Sequence, residues 1–61
     1  MEQREIDRYL KKFVRIYLKD NRTFWTGIIE DINPLATTLK DKFDRLVTLE
    51  NGEIKTISEW S

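Results

Sequence analysis

Apolar positions near the start of the chain recur with helical spacing. Ile6, Tyr9, Leu10 and Phe13 stand at i, i+3, i+4 and i+7, one stripe of a helix. Acidic Glu2, Glu5 and Asp7 come first and basic Arg8, Lys11 and Lys12 follow, the order a helix dipole favours. The pattern predicts a helix over about residues 2–12. From Val14 the period falls to two. Val14, Ile16 and Leu18 alternate with Arg15, Tyr17 and Lys19, which reads as a strand with one buried face. Asp20 and Asn21 then form a turn, because Asn tolerates left-handed backbone angles.

A second, longer strand is expected from about Arg22 to Ile32. Its apolar residues Phe24, Trp25, Ile28 and Ile29 occupy both parities, so the buried side changes along it. Gly27 lies within this mixed stretch. A glycine inside a strand marks a bulge, a sharp bend or a close backbone approach, and here the expectation is a bend that lets one strand serve two halves of a curved sheet. Phe24 and Trp25 are neighbours, so one of them must face away from the core. Pro34 breaks the pattern, since it has no N–H for a ladder. Short strands follow at Thr37–Leu39, Arg45–Glu50 and Glu53–Ile57, with Asn51-Gly52 as a strong hairpin signal between the last two. The expected fold is mainly β: a single domain over residues 1–61, built as a small, strongly bent five-stranded antiparallel barrel with an N-terminal α-helix, its strands covering about residues 13–57.

Composition narrows the function. A chain of 61 residues buries only about 60% of its unfolded surface and needs support from disulfides, metal or association. It has no cysteine and no histidine, so disulfides and the common zinc sites are excluded, and no cofactor is expected. Thiolate and imidazole catalysis are excluded too, and an enzyme is not expected. Self-association remains as the route to further burial. Lysine plus arginine balance aspartate plus glutamate, yet residues 1–22 hold seven basic against four acidic groups and residues 23–61 hold four against seven. No apolar run approaches the ~20 residues of a membrane span, and the charged start lacks the apolar centre of a signal peptide. A soluble, cytoplasmic protein is expected.

The stretch "IDRYLKKFVRIYLKDNR" resembles the helix, strand and turn that open the Sm-like (Sm/LSm, Hfq-like) family. Val14, Ile16 and Leu18 fall on its apolar positions, and Asn21 stands in place of its turn glycine. Gly27 with Ile29 resembles the G-x-L of its bent strand, and Asp31 the aspartate that follows. "LENGEIKTI" is similar to its second motif, with Leu49, Ile54 and Ile57 on the apolar positions. The resemblance covers about residues 6–57. It implies a bent barrel that assembles into a homo-oligomeric ring and binds single-stranded RNA in the loops lining the pore. Those loops correspond to Asp31, Asn33, Pro34 and Leu35, and to Asn51 and Gly52. The scaffold positions match better than the RNA-contacting ones. Asn33 is displaced from the family's base-contacting asparagine, Glu50-Asn51 replaces its Arg-Gly, Glu53 replaces its second asparagine, and the Lys-His pair of the Hfq type is absent.

Other readings follow from the same residues. Gly27 also suits an SH3-like or Tudor-like barrel, since glycine kinks are general in curved sheets. The same barrel without RNA binding would be a protein-interaction or assembly module. Arg4, Arg8, Lys11 and Lys12 would form a basic helix face, either for phosphates or simply for solvent. Lys40, Lys42 and Phe43 mix charge with an aromatic ring, a weak pattern for single-stranded nucleic acid. Tyr17 and the outward aromatic of the Phe24-Trp25 pair suit base stacking or an interface, and Trp60 suits a clamp on the barrel.

Overall fold

The computed structural model describes residues 1–60. Its strands are β1 (Phe13–Leu18), β2 (Phe24–Ile32), β3 (Ala36–Lys40), β4 (Leu46–Glu50) and β5 (Ile54–Glu59). They form one antiparallel sheet in the order β4-β3-β2-β1-β5. β4 and β5 are its two edges and do not pair with each other. The sheet is nevertheless rolled. Its two edge strands, β4 with Leu49 and β5 with Ile54 and Ile57, contribute to the same core, which a flat sheet would not allow. Rolling is what allows every strand to feed one core: Val14, Ile16, Ile29, Leu39, Leu49, Ile54 and Ile57 are buried together, with Ile6 closing one end. Strand existence and approximate bounds follow the sequence reading.

The N-terminal helix is much shorter than its apolar stripe predicts. α1 covers only Gln3–Ile6, with a reciprocal Glu2–Glu5 capping box at its start. A 3-10 turn follows at Asp7–Tyr9. The helix stops because the next residues bond to β2 instead. Lys11 adopts a left-handed φ of 65°, its N–H donates to Ile29 O at 2.8 Å, and the Ile29 N–H donates to Lys12 O at 3.3 Å. Of the predicted stripe only Ile6 is fully buried. Tyr9 packs at the core edge, while Leu10 and Phe13 stay exposed. The expected basic helix face is dispersed accordingly. Arg4 pairs with Glu2, Lys11 with Glu30 and Lys12 with Glu59.

β2 changes its buried parity, but not at Gly27. Trp25, Gly27 and Ile29 all take the inner face, opposite Ile16, Val14 and Leu39. The register then slips between Ile29 and Asp31, and Ile32 faces inward in turn. The extra residue, Glu30, makes this the β-bulge that re-aims the strand. Gly27 answers a different demand. The backbone of Lys40, at the end of β3, lies directly against its Cα. A side-chain Cβ there would overlap the Lys40 carbonyl oxygen and sit 2.9 Å from the Lys40 carbonyl carbon. The glycine therefore permits close backbone approach between β2 and the end of β3.

The β1–β2 turn forms as expected. Asn21 has φ 61°, and Asp20 Oδ1 accepts the Arg22 and Thr23 N–H groups at 2.9 Å each. The β3–β4 turn repeats the device: Asp41 Oδ1 accepts from the Phe43 and Arg45 N–H groups, and Asp44 takes φ 62°. Both carboxyls titrate below the ordinary 3.8, Asp20 chiefly through the Thr23 hydroxyl and Asp41 chiefly through the Arg45 amide. A depressed native pKa contributes stability above the unfolded value, and that contribution disappears as pH falls through the native one. The protein is thus expected to hold its melting temperature above about pH 4 and to lose it progressively below. Melting curves of Asp20→Asn and Asp41→Asn against pH check this: each substitution should flatten the acid side of the profile.

The Asn51-Gly52 hairpin is not formed. A two-residue hairpin of this type needs positive φ at both residues, and neither residue has one. Residues Asn51–Glu53 instead make a 3-10 turn that carries the chain from one sheet edge to the other. The cause is the Asn51 side chain, which is 4% exposed and bonded inside the protein.

Candidate functional site

Two loops meet at one end of the rolled sheet: residues 33–35 between β2 and β3, and residues 51–53 between β4 and β5. The first is shaped by its own asparagine. Asn33 Oδ1 accepts the Leu35 and Ala36 N–H groups at 2.8 Å each, and the Asn33 N–H donates to Ala36 O at 2.9 Å. This Asx turn accommodates Pro34 and pushes Leu35 into solvent, where it is 81% exposed.

Asn51 then fastens the second loop to the first. Its Nδ2 donates to Asn33 O at 2.8 Å, its Oδ1 accepts from the buried Thr37 hydroxyl at 2.7 Å, and its N–H donates to Leu35 O at 2.9 Å. Its carbonyl accepts from the Met1 amino group at 2.8 Å, which brings the start of the chain into the same place. An open cleft results, between Pro34 and Leu35 on one side, Glu50 and Gly52 on the other, and Glu2 with Arg4 along the rim.

The structure therefore brings together five of the six residues singled out in the sequence. Pro34, Leu35 and Gly52 are exposed on the cleft. Asn33 and Asn51 hold the loops in place, and their side-chain oxygens are already engaged. Asp31 lies apart, two residues before Asn33 on β2, exposed and opposite Thr38. Its carboxylate has no hydrogen-bond or ion-pair partner among the described residues. The charge around the cleft is mixed. Arg4 and the Met1 amino group oppose Glu2 and Glu50, and Arg4 is paired with Glu2 at 3.4 Å. The two-point grip of Asn51 was not legible in the sequence, because its partners lie 14 and 18 residues away in the chain, and Arg4 was read only as part of a basic helix face, not as a neighbour of these loops.

Elsewhere, Lys40 pairs with Asp44 at 3.7 Å, and Phe43 lies between Lys42 and Arg45, with their charged groups 5.2 and 5.1 Å from its ring centre. Among the described residues, no group of three or more acidic, His or Cys side chains converges to hold a metal ion, and no helix is long and apolar enough to cross a membrane. No family model matches the chain, and comparison with curated proteins and with solved structures gives no significant match.

Proposed function

We propose that the chain is an Sm-like module that closes into a homo-oligomeric ring and binds single-stranded RNA along the joined loops 33–35 and 51–53. The observation that carries this reading is the fastening of those loops by Asn51, which sets Leu35 and Gly52 on the two sides of one open cleft. The edges of the sheet support the assembly. β4 and β5 each leave one side unpaired, and exposed edges are templates for further pairing. Joining β4 of one copy to β5 of the next is a head-to-tail contact, which generates a ring when its rotation closes. Such a ring would supply the burial that a chain of this length lacks.

Light scattering of nuclease-treated protein at two concentrations tests the assembly. A mass of about five to seven chains, unchanged between the two concentrations, supports a ring, and a monomer or dimer removes it. RNA is tested by titrating U-rich and A-rich oligomers at low and raised salt. Binding is expected to weaken steeply with salt, and Leu35→Glu, on a fully solvated loop, to weaken it about tenfold or more by adding a negative charge where a phosphate or base would lie. No retardation of either oligomer at low salt would sink the RNA reading.

A second reading is favoured by a specific feature of the same cleft. Asn33 and Asn51 direct their side-chain oxygens inward, and Arg4 is neutralised by Glu2. A protein-interaction module on the same barrel needs neither free base-reading amides nor cations. Binding without salt dependence would identify it.

A further inference from the structure

The outer face of β1, β2 and β5 lies on different residues from the loop pair. Alternation places Phe13, Arg15 and Tyr17 outward on β1. Opposite them on β2 lie Ile28, Thr26 and Phe24, and Ser58 flanks Arg15 on β5. Trp60 continues the β5 side, its N–H donating to Phe13 O at 2.8 Å. The result is an aromatic surface with Phe24 51% and Trp60 46% exposed. Contiguous apolar exposure of this kind marks an interaction site.

Arg15 is at the centre of this surface and is unusual among the cations. Its guanidinium stacks between the two rings, 4.7 Å from the centre of Phe24 and 4.2 Å from that of Trp60. Its Nε is buried and has no acceptor, and Nη1 finds only the Tyr17 hydroxyl at a long 3.4 Å. Its strand neighbours across the ladder, Thr26 and Ser58, are uncharged, and among the described residues no carboxylate pairs with it. Arg4, Lys11, Lys12, Lys40 and Arg45 have such a partner; among the described residues Arg8, Lys19, Arg22, Lys42 and Lys55 do not, but these five are exposed, whereas Arg15 is half-buried. A guanidinium has five N–H donors in a planar fork that fits a carboxylate at two points. A half-buried one with no counter-charge among the described residues is costly to hold.

We propose that this face docks an apolar, acidic segment of a partner protein, with an aspartate or glutamate of that segment closing on Arg15. The partner's apolar side chains would lie on Phe13, Ile28 and the outer faces of Phe24 and Trp60. Arginine, tryptophan and tyrosine clustered in this way are the composition of interface hot spots. Nucleic acid fits the surface less well. Its affinity comes from several phosphates meeting several cations; Arg15 is the only charge among the outward positions of β1, β2 and β5 named above, and the cations bordering Phe13 and Ile28, Lys40 and Lys42, are interspersed with Glu30, Asp41 and Asp44. The ring faces nearest it are already covered by the guanidinium, which leaves no slot for a base. The inference is independent of RNA binding at the loops and holds for a single chain or an assembly of chains.

A selection from a random twelve-residue peptide library on the full chain tests this, followed by calorimetric titration of the enriched peptides. The expected result is enrichment of peptides that carry Asp or Glu beside large apolar residues. Their affinity should fall about tenfold or more with Arg15→Gln, and should be only partly kept by Arg15→Lys, which retains charge without the stacked fork. The same peptide with its carboxylate replaced by the amide must lose a similar factor, and this arm leaves the protein's fold untouched. The proposal is overturned if no peptide is enriched, if enriched peptides lack a carboxylate or bind their amide forms equally, or if a U-rich RNA oligomer displaces them.

Discussion

Gly27→Ala is expected to lower the melting temperature by roughly 12–24 °C. The new methyl group would occupy the space of the Lys40 carbonyl oxygen, and the obstructing atoms are backbone on both sides, Lys40 and Asp41. Neither can rotate away as a side chain would. Overpacking of this kind costs about 3 kcal/mol. A domain of this size has only about 3–9 kcal/mol in total at the usual stability per residue, and each kcal/mol is worth about 4–8 °C in a small domain. Gly52 provides the internal control. A Cβ there would meet nothing within 4 Å, and its φ is not positive. Gly52→Ala should therefore change stability by less than about 0.5 kcal/mol, since exposed substitutions away from special features are near neutral. Thermal melts of the two alanine variants, followed by far-ultraviolet circular dichroism, decide the matter. Equal melting temperatures would mean that β3 does not lie against Gly27 as described.

Asn51→Ala should cost about 2–4 kcal/mol, the second large effect. The substitution strands two groups. The Thr37 hydroxyl, at 0% exposure, loses its acceptor, and the Asn33 carbonyl loses its donor. The buried Thr37 hydroxyl left unpaired costs about 1–3 kcal/mol, and loss of the part-buried bond to Asn33 O adds about 1 kcal/mol. A double-mutant cycle with Thr37→Val separates the hydrogen bond from the packing. Once Asn51 is alanine, removing the hydroxyl relieves an unpaired polar group, so the second substitution should be nearly neutral and the coupling should exceed about 1 kcal/mol. Additive effects would show that the Asn51–Thr37 bond contributes little. Because Asn51 also fastens the two loops, the variant is expected to loosen the cleft around Leu35 together with the core.

The strands were legible because their evidence is local. Val14, Ile16 and Leu18 alternate whatever they pack against, and Asp20-Asn21 carries its own turn chemistry. The helix was overestimated for a related reason. The stripe from Ile6 to Phe13 has the right spacing, but only Ile29 on β2 determines that Lys11 and Lys12 leave the helix. Asn51-Gly52 misled in the same direction: the dipeptide favours a hairpin, and a buried asparagine bonded to Asn33 and Thr37 overrides that preference. Gly27 was recognised as special, and the close backbone approach named among its possible causes is the one found, while the parity change in β2 comes from the bulge at Glu30. The joined loops were indicated by Asn33 to Leu35 and by Asn51-Gly52. The Arg15 stack was not, since Phe24 and Trp60 converge on it only through the pairing of three strands.

That pairing has a consequence for how the protein comes into being. β1, the first of these five strands to be synthesised, has β5, the last of them, as one of its two partners, and Ile16 meets Ile57 across the junction. Until β5 emerges, the core lacks Ile54 and Ile57, and one side of β1 is bare. Contacts between distant parts of a chain must overcome loop-closure entropy before they stabilise anything. Folding of this sheet is therefore held back until β5 has left the ribosome, and a nascent chain lacking it exposes an open strand edge that other chains can pair with.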